Sequence, residues 1–478
     1  MVVAMKMAKA KASASAPSAT AATATGTGKT LRIEAETIEV AQIKAGLAEW
    51  LTGLGYRPRK VLLLPPDITR SHSGAGLIVQ LLWQMLTPKG SEIQIMPALG
   101  THVPMTRAEQ VRMYGAEIPE SAFLAHDWRN DTCRIGEIPS AFVSGVSGGR
   151  VDFPIPIEVN KRLISGQYDL IVSIGQVVPH EVVGMANYSK NIFVGCGGKE
   201  IIDKSHFLGA VYGLERLMGR DHSPVRKVFD YGEEQFLSDI PLQYILTVVA
   251  TGQGAPASTP AAAGAGVDAG VDADVDAAAV ATAPRICGLY AGRERQLFEA
   301  AVRLSQARNL CLLDAPLKKV VVYLDPEEFK STWLGNKAIY RTRMAIADGG
   351  ELLIIAPGLK HFGEDDLIDA LIRKYGYAGT DKVLEWVETE DDLRNCLSAA
   401  AHLIHGSSEG RFKITYAPGH VSAAEIEQVH FNYAPLDDML RRYDPQQLRD
   451  GFNTMPDGEQ IFYVSNPALG LWALRDNF

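Results

Sequence analysis

The sequence predicts an α/β protein of two domains, each built on a mainly parallel sheet flanked by helices. Three observations predict it. Short continuous apolar runs, such as Lys60-Val61-Leu62-Leu63-Leu64 and Leu170-Ile171-Val172-Ser173-Ile174, read as strands buried on both faces. Stretches with helical spacing of apolar residues alternate with these runs, as crossovers between parallel strands require. An Ala/Gly/Asp-rich stretch over 250–284 then breaks the alternation and reads as a flexible linker, because it cannot support a packed core. The expected division is a disordered tail over 1–30, a first α/β domain over 31–249, the linker over 250–284, and a second α/β domain over 285–478. The last segment of the second domain is free to pack back on the first.

In order, a helix is expected over Ile38 to Leu54, a strand over Lys60 to Pro65 and a helix over Ala75 to Leu86. A strand over Glu92 to Leu99 follows, then a helix from Thr106 to Tyr114. Thr106 and Glu109 have the spacing of a capping box. Residues 133–160 read as a β-rich excursion with a Gly148-Gly149 turn, followed by a helix over 158–165 and a strand over 169–174. After Pro284 the expected elements are a helix over 293–308, a strand over 319–324 and a helix from Glu328 to Ala347. A strand over Glu351 to Ala356, helices near 365–375 and 391–403, and a strand over Lys413 to Tyr416 complete the alternation.

Composition narrows the function classes. The 478 residues carry a net charge of −9, which argues against a nucleic-acid partner. Charged residues make up 22% and hydrophobic ones 46%, ordinary for a globular enzyme, and no run of 18 apolar residues suggests a membrane span. Cys133, Cys196, Cys287, Cys311 and Cys396 show no CxxC spacing, so free thiols in a reducing, cytoplasmic compartment are expected. The first 30 residues lack the apolar core of a signal peptide and the arginines of a transit peptide.

Three predicted strand ends carry polar clusters: Asp67-Ile68-Thr69-Arg70, Gly100-Thr101-His102, and Pro179-His180 with Lys190 ten residues on. Ligands of parallel sheets bind outside the carboxyl ends of the strands, so the three clusters suggest one shared crevice. His206 follows Lys190 by sixteen residues. Other reactive side chains receive plainer readings. His402 and His405, three apart on a probable helix, read as an ordinary helix face, and Cys196 as a small buried residue in a tight turn. Spacing leaves open whether His72 and His361 reach the crevice.

Taken together, these residues and spacings resemble the lactate racemase family, whose members use a nickel-pincer nucleotide, over most of residues 60–215. The resemblance implies an active site in the interdomain cleft and assigns Asp67 and Arg70 to the family's Asp-x-x-Arg. It assigns Thr101 and His102 to its Gly-Thr-His, and His180 to its Pro-His. Lys190 takes the position of the lysine that bonds covalently to the pyridinium-derived cofactor, and His206 that of the histidine ligating nickel. Two departures stand out. Where the family has Ser-Gly-Gly-Arg before the lysine, this chain has Ala186-Asn187-Tyr188-Ser189. Lys337 and Tyr340 match the positions of a substrate-facing Gln and Lys in the second domain.

The chemistry suits the residue types. No side chain accepts hydride, so inverting C2 of a 2-hydroxycarboxylate by hydride transfer requires a cofactor. His102 and His180 are expected as proton acceptors on opposite faces of the substrate. Arg70 is expected to clamp the carboxylate, Lys337 and Tyr340 to bind the rest of the substrate, and Asp67 to orient a histidine or a cofactor hydroxyl. Thr69 is expected to help hold the nucleotide phosphate, and His206 to give imidazole to nickel. The expected substrate is a 2-hydroxyacid larger or more polar than lactate, such as a sugar acid, and cofactor biosynthesis and maturation proteins are the implied partners. Two other classes fit less well. A nicotinamide-dependent oxidoreductase would want a Gly-x-Gly-x-x-Gly turn, which is lacking; a non-catalytic binder of the nickel cofactor would have lost His102 or His180.

Overall fold

The computed structural model of the chain describes residues 23–24, 30–250, 285–468 and 470–478. The disorder expected of 1–30 and the flexibility expected of 250–284 fall almost wholly outside the described residues. Thr23–Ala24 is described, and pairs antiparallel with Ile33 and Glu34.

Seven strands form the first sheet. From one edge they run Thr23–Ala24, Leu31–Glu34, Ile286–Gly292, Leu242–Val249, Leu170–Gln176, Lys60–Leu64 and Glu92–Ile95. The last four are mutually parallel, so Leu64, Ile95 and Gln176 all lie at the same, carboxyl end of the strands. These strands are apolar throughout because both faces are covered; Leu170–Gln176 is buried at every position.

Six strands form the second sheet, in the order Asn432–Tyr433, Lys413–Pro418, Ile346–Ala356, Leu317–Tyr323, Gln460–Val464 and Gly451–Thr454. All are parallel to their neighbours except the hairpin of the last two. The parallel-rich α/β class is as the sequence predicts.

One boundary differs. Ile286–Gly292 lies in the first sheet, antiparallel to both Leu242–Val249 and Leu31–Glu34. The 250–284 segment therefore joins neighbouring strands of one sheet, not one domain to another. Composition marks a stretch that cannot fill a core; it does not reveal where the chain re-enters. At the other end, Arg220 donates to the carbonyl oxygens of Asn477 and Phe478, so the C-terminus does pack back on the first unit.

Element boundaries agree closely where periodicity is strong, as at Ala75–Leu86, and the Thr106–Glu109 capping box forms. The 133–160 excursion contains a helix, Ser140–Ser147, between its two antiparallel strands. The helix expected over 158–165 is instead the end of a strand and one 3-10 turn, Lys161–Ile164. The helix expected over 328–347 shrinks to Thr332–Gly335 and Lys337–Thr342, because Ile346 already pairs with Leu317.

The two units meet through the helices Lys199–Tyr212 and Leu397–His405, which pack against each other. Glu215 reinforces the contact by pairing with Arg343 at 3.0 Å and Arg411 at 2.8 Å.

Candidate active site

A cavity opens where the carboxyl ends of Lys60–Leu64, Glu92–Ile95 and Leu170–Gln176 face the second unit. It is lined by Asp67, Thr69, Arg70, His102, His180, Lys190 and His206 from the first unit, and by Lys337 and Tyr340 from the second. Every predicted site residue is thus brought to one place. His72 and His361 are not among the lining residues; His361 is tied to the Gly363 carbonyl oxygen at 2.8 Å.

Each histidine has one ring nitrogen committed. His102 Nδ1 lies 2.6 Å from Asp67 Oδ2, and a carboxylate can only accept, so Nδ1 carries the hydrogen and Nε2 is left for a ligand. Burial alone would raise the Asp67 carboxyl, but His102, the Thr69 hydroxyl and the nearby Arg70 charge hold it below the usual range. Thr69 spends both its hydroxyl proton, at 2.5 Å, and its amide, at 3.2 Å, on Asp67 Oδ1. That hydroxyl buttresses the carboxylate and has no proton left for a phosphate, contrary to the expectation from sequence.

His180 is arranged the other way. Its Nδ1 accepts the Val182 amide at 3.1 Å, so the neutral ring carries its hydrogen on Nε2. Burial holds it well below the ordinary histidine range. Glu181 Oε2 lies 3.8 Å from the same Nδ1. Burial by itself would raise the Glu181 carboxyl, yet the surrounding basic groups, Arg341 and Lys337 among them, keep it ionised.

His206 Nδ1 donates to the Ile202 carbonyl oxygen at 2.6 Å, one helical turn back. Burial also keeps this ring neutral, leaving Nε2 a bare donor atom toward the cavity wall. Fixing one imidazole nitrogen so that the other meets a metal is the usual outer-sphere arrangement. Among the described residues no cluster of three or more His, Cys, Asp or Glu can hold a metal unaided. A metal here needs donor atoms from elsewhere, which fits an organic cofactor that brings its own.

Lys190, Arg70 and Lys337 make no hydrogen bond or ion pair through their charged ends among the described residues. Burial and the Arg70 charge push the Lys190 amine down to about 8. The cavity therefore holds uncommitted cations suited to anionic ligands, and an amine with a usable neutral fraction near pH 7.

The loop bearing Lys190 is held by a residue that sequence reasoning missed. Arg226 is fully buried and donates to Ser189 Oγ at 2.8 Å, the Met185 carbonyl oxygen at 2.7 Å and the Asn187 carbonyl oxygen at 3.1 Å. At the family's two glycine positions, Asn187 and Tyr188 have φ of 70° and 56°. The backbone keeps the left-handed conformation that glycine favours, and the tyrosine is secured by stacking on Phe298 and by donating to the Arg293 carbonyl oxygen at 2.8 Å. The turn after it fits the plain reading of Cys196: the side chain is fully buried and burial pushes its thiol up to about 12, too high for a reactive nucleophile.

The second-unit wall also corrects a reading. His402 and His405, expected on an ordinary helix face, are buried and line the cavity. The Ala-rich run before them on Leu397–His405 was the available signal, since a small-residue face allows the close helix packing seen here.

Comparison with known proteins follows this geometry. Residues 32–215 match the family model of the lactate racemase N-terminal domain. A crystal structure of a Thermotoga maritima protein aligns over 92% of this chain and 100% of its own, at 24% identity and a TM-score of 0.74. The lactate racemase apoprotein of Thermoanaerobacterium thermosaccharolyticum aligns over 88% of both chains at 16% identity and a TM-score of 0.62. At these identities both likenesses speak for the fold. No functionally curated protein matches the chain.

Proposed function

We propose that the chain, whose residues 32–215 match the lactate racemase N-terminal domain, is an isomerase inverting C2 of a 2-hydroxycarboxylic acid with a nickel-pincer nucleotide. The observation that carries this reading is the meeting of His102, His180, Lys190 and His206 at one cavity, with one nitrogen of each imidazole already committed. Lys190 would hold the cofactor covalently and His206 Nε2 would ligate its nickel. When bound, the cofactor supplies the hydride acceptor that side chains cannot provide.

The remaining steps belong to the protein. Arg70 offers a free guanidinium fork to the substrate carboxylate. His102 Nε2 takes the proton of the C2 hydroxyl, with Asp67 balancing the charge that forms on the ring. His180 serves the opposite face. Its Nε2–H can hydrogen-bond the C2 oxygen and give up its proton if Nδ1 exchanges the Val182 amide for a proton of its own, which Glu181, 3.8 Å from Nδ1, is the carboxylate placed to stabilise. Inversion in one direction needs one ring ready to accept and the other ready to donate, and the unlike settings of the two rings fit that need. Cofactor biosynthesis and maturation proteins are the proposed partners and the cytoplasm the proposed location. Among the described residues no helix is long and apolar enough to cross a membrane.

The test is protein produced together with the cofactor-making enzymes. Intact mass should show an adduct that Lys190→Ala abolishes, accompanied by nickel. Inversion in D2O should keep the original hydrogen at C2, because hydride returns to the same carbon; deuterium at C2 would mean proton abstraction and sink the hydride route. Turnover that required added nicotinamide cofactor would favour the oxidoreductase reading.

A further inference from the structure

The hydrogen bonds behind the second-unit wall run in one direction. The Phe362 carbonyl oxygen can only accept, so Thr332 Oγ1, 2.9 Å away, donates to it. Thr332 has no second proton, so the Tyr377 hydroxyl donates to Thr332 at 2.8 Å. With that proton spent, His402 Nε2 must donate to the Tyr377 oxygen at 2.9 Å. Asn336 Nδ2, at 3.5 Å from the same nitrogen, is too distant to reverse the order. Burial pushes His402 down to about 3, so the ring is neutral and Nδ1 is a bare acceptor. The Tyr340 hydroxyl donates to it at 2.9 Å. Its proton is therefore spent on His402, and only oxygen lone pairs remain for a ligand.

A second observation points to a polar ligand on this wall. His405, one turn beyond His402, is 4% exposed, lines the same cavity, and its Nε2 has no hydrogen-bond partner. A buried polar atom left unpaired is costly unless a ligand meets it.

We propose that Tyr340 is a one-way acceptor that selects a 2-hydroxyacid bearing at least one further hydroxyl beyond C2, and that His405 meets a second polar group of the same ligand. The proposal rests on the racemase reading for the C2 chemistry. A methyl group offers the Tyr340 lone pairs no donor, and a second carboxylate sets acceptor against acceptor. Tyr377 and His402 are positioning residues: they act only by fixing which way the Tyr340 proton points.

The test compares 2,3,4-trihydroxybutanoate with 2-hydroxybutanoate, which differ only in the hydroxyls. Calorimetric binding to the cofactor-free protein and kcat/KM of the loaded enzyme are both read. The trihydroxy acid should be preferred by at least about tenfold, in line with sites built to hydrogen-bond a substrate hydroxyl. Tyr340→Phe should remove most of that preference. Tyr377→Phe should reduce it while leaving the Lys190 adduct intact, since His402 can then change tautomer and turn the Tyr340 proton outward. A structural role alone would lower both acids alike. An unchanged preference in Tyr340→Phe, or a wild type that prefers 2-hydroxybutanoate, overturns the proposal. Selective binding without inversion by loaded enzyme leaves the selection rule standing and removes the racemase reading.

Discussion

A carboxylate 2.6 Å from an imidazole nitrogen decides which ring nitrogen meets the ligand, and here Asp67 decides it for His102. Asp67→Asn can present its amide hydrogens to Nδ1 and so favour the tautomer whose Nε2 bears the proton. Turnover should fall about 10²–10⁴-fold, the usual worth of a positioned acid–base group, with the cofactor adduct retained by mass. An adduct lost along with activity would place Asp67 in cofactor binding instead. Lys190 gives a prediction with a sign. Its folded value of about 8 lies below the ordinary 10.5, so below pH 8 the folded state carries the full cost of a buried charge. Between pH 8 and 10.5 the unfolded state binds more protons and stability rises with pH. Cofactor-free Lys190→Met should therefore melt above the parent at pH 7, by at most about 3 kcal/mol in stability, and the gap should close toward pH 10.5. Melting curves of both proteins across that range check it; a constant gap would mean the lysine is not strained. At this scale the sequence was informative where a residue follows a strand end, as for Asp67, Arg70, His102, His180 and Lys190, whereas His206, inside the helix Lys199–Tyr212, was marked only by the family resemblance. Glu181, His402, His405 and Arg226 were not legible, because their roles depend on contacts between segments far apart in the chain.

The loop from Gly184 to Asn191 shows how an element is held when its local sequence opposes its shape. Left-handed backbone at Tyr188 is unfavourable for a bulky side chain and persists only when the surroundings fix it. Arg226, on the helix Pro224–Phe236, does so from beneath with three hydrogen bonds. Arg226→Leu should remove them and leave two buried carbonyl oxygens without that donor, at about 2–4 kcal/mol. The melting temperature should drop, and the share of protein carrying the Lys190 adduct should drop with it. A stable variant with full adduct would show that the loop holds its shape alone. Helices and strands with strong periodicity were legible to within a few residues. The 328–347 region was misread because a continuous helical pattern there hides a break. Asn336 ends one short helix, and the chain then turns to pair Ile346 with Leu317, a partner that local periodicity cannot see.

At the scale of the molecule, the cavity depends on the two units staying together, and both ends of the segment over 251–284 lie in one sheet of the first unit. Val249 and Ile286 are direct partners in an antiparallel pair, and the Ala250 amide donates to the Arg285 carbonyl oxygen at 3.0 Å. The two ends are thus already neighbours, as they would be across a hairpin turn. Among the described residues, those lining the cavity lie on both sides of the segment, up to His206 before it and from Trp333 after it. Replacing residues 251–284 with a short Gly/Ser turn should therefore keep the strand pairing, and loop length changes closure entropy by only about 0.6 kcal/mol per doubling. The shortened protein should melt within a few degrees of the parent and keep its Lys190 adduct and its turnover. Loss of turnover in a variant that folds and carries the adduct would show that the segment acts on the site; loss of folding would show that the hairpin needs more than its strands to close.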